Sequence, residues 1–263
     1  MAICFIVGHG KSKSGGYDSG AVYGNYHEFR IAREIAKYAA DYYNTNFAET
    51  ADLMNYNGEL YLSERIALAN KKSYDFVAEI HLNAGKGTGA EVFYSKGSSY
   101  GKAIAAGVSK KIALALNIVD RGAKTRIGTS GRDYFGIIRQ TSAEAILVEC
   151  AFIDSNDLEK LKTPEGQKIC GIAIAQAIAS ARKVKAYINT KPVTEPTKKI
   201  WYFNKCNVKY SSLVDALKDL GYNSKFSYRK QIAAANGIKG YLGTAKQNTT
   251  LLNLLKQGKL IKP

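Results

Sequence analysis

The sequence predicts an α/β protein: a twisted, mostly parallel sheet with helices on both faces, followed by a small basic α+β module at the C-terminus. Three observations carry this. Short apolar runs alternate with segments of helical period through the first 186 residues. A Pro-, Thr- and Lys-rich stretch at 187–199 interrupts any apolar periodicity. The charge is also divided unevenly on either side of that break, and strand–helix alternation is the signature of sheets covered on both faces.

The first element is an apolar strand over 3–7, ending at Gly8. Phe29, Ile31, Ala32, Ile35, Ala36 and Ala39 recur at helical spacing and predict a helix over 27–43. A short helix over 62–70 follows, then strands over 76–82 and 90–94 and an Ala- and Ile-rich helix over 100–116. A strand over 145–152 is apolar except for Glu149, and a long helix over 164–186 closes the unit. Beyond the break, a strand is expected over 200–209, which holds the only tryptophan, Trp201. Helices are expected over 211–220, 227–236 and 249–257, and a last strand-like stub over 258–263. The predicted organisation is therefore a first domain over 1–186, a linker over 187–199 and a module over 200–263, an extent suited to one medium domain plus a small one.

The chain of 263 residues is 46 % hydrophobic, ample for a packed core, and carries a formal net charge of +16. Up to residue 190 there are 24 Lys/Arg against 19 Asp/Glu, and from 191 onward 14 against 3. The basic character thus belongs to the tail and points to a polyanionic partner there, and nucleic acid, an anionic membrane face or an anionic cell-wall polymer would each satisfy it. No known nucleic-acid motif accompanies the charge, so nucleic acid is not expected as a partner. No apolar run approaches the ~18 residues of a membrane span. The N-terminus reads as a strand rather than a signal peptide, so the expectation is synthesis in the cytoplasm and release by another route. Cys4, Cys150, Cys170 and Cys206 fit no metal-knuckle spacing and read as buried, reduced thiols.

Three histidines exist, His9, His27 and His81, and two of them stand where a strand runs out. His9 follows the first strand in Val7-Gly8-His9-Gly10, and His81 closes Val77-Ala78-Glu79-Ile80-His81. Glu149 is an ionisable group inside Ile146-Leu147-Val148-Glu149-Cys150-Ala151-Phe152, a costly place for a carboxylate that is neither paired nor near a metal. The carboxyl ends of strands are where α/β sheets gather ligands. Two imidazoles and one carboxylate form a zinc set that leaves the fourth position open. A separate carboxylate, here Glu149, would act as general base. His27 is set aside as a helix-start residue. The glycine-rich stretch 8–20 matches neither the dinucleotide fingerprint nor the Walker A spacing.

Taken in order, these motifs resemble the zinc-dependent N-acetylmuramoyl-L-alanine amidases found among bacterial autolysins and phage endolysins, over roughly residues 3 to 180. The likeness is carried by Gly8-His9-Gly10 with Glu28 opening the first helix, by Arg65-Ile66-Ala67-Leu68-Ala69-Asn70, and by Glu79-Ile80-His81-Leu82-Asn83-Ala84. Arg121-Gly122-Ala123-Lys124 and Ile146-Leu147-Val148-Glu149-Cys150-Ala151-Phe152 complete it. The resemblance implies zinc held by His9, Glu28 and His81, with Glu149 as catalytic base. It implies hydrolysis of the amide between N-acetylmuramic acid and L-alanine of peptidoglycan, in an endolysin-like role. Asn83, Arg121 and Lys124 stand as candidate substrate contacts beside plainer readings as a turn residue and solvated surface. Ile6-Val7 stands where the family often has Asp-Pro, and Ala151 where it has Gly. The stretch 125–135 looks longer than the family's usual form and is a candidate to line the cleft. The tail's Ile232-Ala233-Ala234-Ala235-Asn236-Gly237-Ile238 is similar in part to a LysM-like sugar-binding module and to the tails of clostridial-type endolysins. The alternatives are a zinc peptidase acting on the stem peptide and a non-catalytic wall-binding protein.

Overall fold

The computed structural model describes residues 2–187 and 202–262. The chain divides into two compact units, Met1–Ile188 and Asn189–Pro263. Apart from Tyr187, the expected linker lies outside the described residues, as does Trp201.

In chain order the first unit holds β1 (Ala2–Val7), the short strands β2 (Gly10–Lys11), β3 (Tyr17–Asp18), β4 (Val22–Tyr23) and β5 (Tyr26–His27), and α1 (Glu28–Asn46). Next come β6 (Thr50–Met54), α2 (Leu62–Lys72), β7 (Phe76–Asn83), β8 (Ala90–Tyr94) and α3 (Ser99–Leu116). The unit closes with β9 (Asp120–Lys124), α4 (Gly136–Gln140), β10 (Glu144–Phe152), α5 (Leu158–Leu161) and α6 (Pro164–Ala181). The main sheet runs β6-β1-β7-β10-β8-β9 and is parallel except where β8 lies antiparallel to β10.

Both faces of the sheet are buried, which is why its central strands read as unbroken apolar runs. Ile3, Phe5 and Val7 of β1, with Phe76, Ala78 and Ile80 of β7, pack in one core with α1, α3 and α6. Cys4, Ile6, Val77 and Leu147 point the other way, into a second core with Ile66 and Ala69 of α2 and Ile137 and Ile138 of α4. Alternation across each strand thus feeds two apolar layers at once. Among the described residues no helix is long and apolar enough to cross a membrane. All four cysteines are buried and unpaired.

Helices α1 and α6 approach closely at Gly171, where an added Cβ would lie 2.6 Å from the Ile35 carbonyl oxygen and 2.9 Å from the Ala39 nitrogen. Backbone atoms cannot yield as a side chain can. Gly171→Ala should therefore destabilise the unit by about 1–3 kcal/mol, read as a lowered midpoint in thermal or urea unfolding. An unchanged midpoint would show that the helices separate without cost.

Three expectations need correction. The closing helix ends at Ala181 rather than near 186. Arg182 leaves the helix axis to bind Glu49 (Nη2 to Oε1, 2.6 Å), Lys183 takes a positive φ of 55°, and Ala186 bridges Phe47. Of the expected strand over 200–209, the described residues 202–209 hold only one bridge, Tyr202 to Ile261. Phe203 and Cys206 are the residues of that stretch in the core. They lie three apart, and so cannot share one face of a strand. Among its described residues the second unit is therefore helical, with α7 (Leu213–Asp219), α8 (Phe226–Ala235) and α9 (Ala245–Gln257) around Leu213, Leu217, Ile232, Leu251 and Leu255. The last strand-like stub is likewise present only as the bridge at Ile261.

Candidate metal centre and active site

Where β1 ends, Gly8 allows the close approach on which the site depends. A Cβ there would meet the His81 ring at 2.3 Å. His9 follows with φ 61°, an uncommon conformation for a residue with a side chain, and its backbone is clamped. The Asn55 amide donates to the carbonyls of Val7 and His9, both at 2.8 Å, and Arg65 Nη1 donates to His9 O at 3.1 Å. Glu28 opens α1 and is 4 % exposed. His81 lies in β7, directly across from Glu149 of β10 in the parallel register.

The three side chains converge. Glu28 Oε1 lies 3.2 Å from His9 Nε2 and 2.9 Å from His81 Nδ1, and one ligand atom from each residue lies within 4.8 Å of the others. Each carboxylate and ring has an outer partner. Leu82 N donates to Glu28 Oε1 at 3.0 Å and Ala21 N to Oε2 at 2.8 Å. His9 Nδ1 meets Asp18 Oδ2 at 2.9 Å, and His81 Nε2 meets Glu79 Oε2 at 3.2 Å. Glu79 is itself gripped by Arg65 (Nε to Oε1, 2.9 Å), and the pair is almost wholly buried. Carboxylates on the far nitrogens of imidazoles are the arrangement that orients histidines toward a metal.

The electrostatics agree. Burial alone would raise the Glu28 carboxyl, but contacts with His81 and His9 outweigh it and hold it well below the usual carboxylate range. Burial would lower the His81 imidazole, yet Glu28 and Glu79 push it well above its ordinary value. Burial is likewise overcome at Glu79, where Arg65 and His81 hold the carboxyl at about 2. Such a cluster favours positive charge at its centre, which a divalent cation supplies. The residues fit zinc: two imidazoles, one carboxylate and room for a fourth ligand.

Glu149 completes the group differently. Its Oε2 is shut off from solvent and has no hydrogen-bond partner among the described residues. Burial pushes its carboxyl up to about 7, with His81 only partly offsetting it. An unsatisfied buried carboxylate oxygen beside a cation site is the feature expected of a proton-transfer group.

One cavity of about 410 Å³ is lined by His9, Glu28, His81 and Glu149, joined by Asn83, Lys11, Arg65 and Phe135. Of the three expected substrate contacts, only Asn83 lines it, and the Asn83 amide also donates to Glu91 Oε1 at 2.8 Å. Arg121 binds the other oxygen of Glu91 at 2.7 Å and stacks over Phe152, while Lys124 ends β9; neither lines the cavity. Sequence reasoning overlooked Arg65, Glu79, Asp18 and Asn55 as parts of the site. Glu79 offered the same signal as Glu149, a carboxylate within an apolar strand.

Comparison with known proteins follows this geometry. The family model described as Amidase_3, N-acetylmuramoyl-L-alanine amidase, matches residues 3–180. The sporulation-specific N-acetylmuramoyl-L-alanine amidase of Bacillus subtilis (strain 168) is 29 % identical over 153 residues, which cover 57 % of this chain and 57 % of that relative's own length. A stretch of 53 residues is 49 % identical to the L-alanyl-D-glutamate peptidase of Listeria phage A118, covering 20 % of this chain and 19 % of the peptidase. Among solved structures, the N-acetylmuramoyl-L-alanine amidase from Clostridium difficile 630 superposes with a TM-score of 0.60 at 27 % identity, over 69 % of this chain and 96 % of that one. The matched span takes in nearly all of the main sheet together with His9, Glu28, His81 and Glu149, and the chain belongs to the N-acetylmuramoyl-L-alanine amidase family.

Proposed function

We propose that the protein hydrolyses the amide joining N-acetylmuramic acid to L-alanine in peptidoglycan, with a zinc ion held by His9, Glu28 and His81. The observation that carries the reading is the convergence of these three side chains in one cavity, with the unpartnered Oε2 of Glu149 buried at the same site. When bound, zinc supplies Lewis acidity toward a water and the scissile carbonyl. The protein's own residues do the rest. Asp18 and Glu79 keep the two imidazoles turned inward. Glu149 accepts the proton of the attacking water at its carboxylate and passes it to the leaving amine. Asn83, fixed by Glu91, is placed to orient the substrate.

The test is release of new amino termini from purified peptidoglycan. Free N-terminal L-alanine should appear, vanish with a chelator and return with zinc. Amino termini of other stem residues would mean a peptidase, and none under any condition would remove the enzymatic reading. The peptidase alternative is weakened by the extent of each match: the amidase model spans 3–180, whereas the peptidase shares only 53 residues. Two wall enzymes named for different bonds are more apt to share a targeting segment than a catalytic one. The described part of the second unit is about that long. We take the second unit as a wall-targeting module whose excess of 14 Lys/Arg over 3 Asp/Glu from 191 onward suits an anionic wall polymer. The phage source of the peptidase supports an endolysin-like role.

A further inference from the structure

Next to the catalytic cavity, the segment after β9 builds a second feature that the hydrolytic chemistry does not use. From 124 to 139 the chain carries four cations, Lys124, Arg126, Arg132 and Arg139, against one acid, Asp133. That acid is already engaged: Ser95 Oγ donates to Oδ2 at 2.6 Å and Lys96 N to Oδ1 at 3.1 Å. The loop is tightly tied for an exposed one. Tyr134 N donates to Arg126 O at 2.8 Å, Gly128 N to Arg132 O at 2.9 Å, and Ile127 bridges Asp133. From below, Arg139 Nη1 donates to the carbonyls of Asp133 and Tyr134 at 2.6 and 2.7 Å.

This framework carries the Arg126 guanidinium, whose central carbon lies over the Tyr134 ring, 3.8 Å from its centroid, and which has no hydrogen bond or ion pair among the described residues. The ring contact restrains the guanidinium while leaving its N–H groups free to take a carboxylate with two parallel bonds. Arg126 and Arg139, with Thr129, Ser130 and Tyr134, line an open depression of about 470 Å³. It lies one side chain away from the catalytic cavity. Phe135 lines the catalytic cavity, and its ring centroid is 5.9 Å from the Arg126 guanidinium and 5.1 Å from the Tyr134 ring.

We propose that Arg126, positioned by Tyr134, is a specificity determinant that binds a free carboxylate of the stem peptide whose amide is cleaved, so that acidic stem peptides are preferred over amidated ones. The proposal rests on the amidase reading, but its test does not. The zinc-loaded full chain is titrated calorimetrically with the free stem tetrapeptide, a product that the proposed reaction cannot cleave, in its acidic and its amidated form. The wild-type protein should bind the acidic form about tenfold more tightly, the scale of a charge-assisted pair. Arg126→Ala should erase that preference with little effect on the amidated form, and Arg126→Lys should keep part of it. In turnover, Arg126→Ala should raise KM for acidic muramoyl peptide and leave kcat unchanged. Equal affinity of the wild type for both peptides would overturn the proposal. So would a preference that persists in Arg126→Ala, or binding of glycerol phosphate without binding of the peptide. If peptidoglycan yields no new amino termini while the peptide preference stands, it is the hydrolytic reading that fails and not this one.

Discussion

Glu149→Gln should lower amide hydrolysis by about 10²–10⁴-fold, the usual contribution of a positioned general acid–base group. The glutamine is nearly isosteric and cannot accept the proton, and Oε2 has no hydrogen-bond partner among the described residues to lose. The fold and the ligand set should therefore persist. Zinc content measured by emission spectroscopy should stay at the wild-type level, and the unfolding midpoint should hold or rise slightly as the buried charge disappears. Full lytic rate in this variant would sink the assignment of the base. Loss of zinc together with activity would instead make Glu149 a ligand.

The second large effect is one of stability. Arg65→Met removes the guanidinium from Glu79, a residue 2 % exposed, and leaves its carboxylate between α2 and β7 with only the His81 ring beside it. Breaking a buried pair in this way costs about 3–5 kcal/mol. For a unit of this size, that corresponds to a fall on the order of 10 °C in Tm. The same change frees the His9 carbonyl from Arg65 Nη1 and lets Glu79 swing away from His81, so zinc affinity should fall about 10–100-fold. The double variant Arg65→Met/Glu79→Gln separates the two roles. Stability should largely return because no buried charge remains, whereas zinc affinity should stay low because His81 has lost its carboxylate. A single variant as stable as wild type would show that water reaches Glu79.

Much of this site was legible in the sequence because its residues violate their surroundings. His81 and Glu149 are ionisable groups in strands whose other positions feed two apolar cores, and His9 stands at the end of a third such strand. Glu28 was legible only through the ordered motifs, since a glutamate in a first helical turn is common for dipole reasons. The Arg65–Glu79 pair went unread because it joins an α2 side chain to a β7 side chain, and spacing along one chain does not reveal that meeting. The end of α6 was hidden too: the chain turns at Lys183, which takes a positive φ without being glycine, where Val184 N donates to Ala179 O at 2.9 Å and Arg182 reaches Glu49. β6 and β9 were missed for the opposite reason. As edge strands, Thr50–Met54 and Asp120–Lys124 have little apolar alternation to announce them.

The sheet order carries one more consequence. β7 and β8 are neighbours in sequence, yet β10 lies between them in space and brings Glu149 against both His81 and Glu91. During synthesis, a chain that has emerged only to about residue 140 has His9, Glu28 and His81 but an open slot at the middle of its sheet. It can complete neither its hydrogen-bond ladder nor the Glu149 side of its cavity until the strand in that slot arrives. Such non-local closure is slow and comes late in folding. On the proposed reading, fragments that end before β10 lack Glu149 and should release no new amino termini from peptidoglycan.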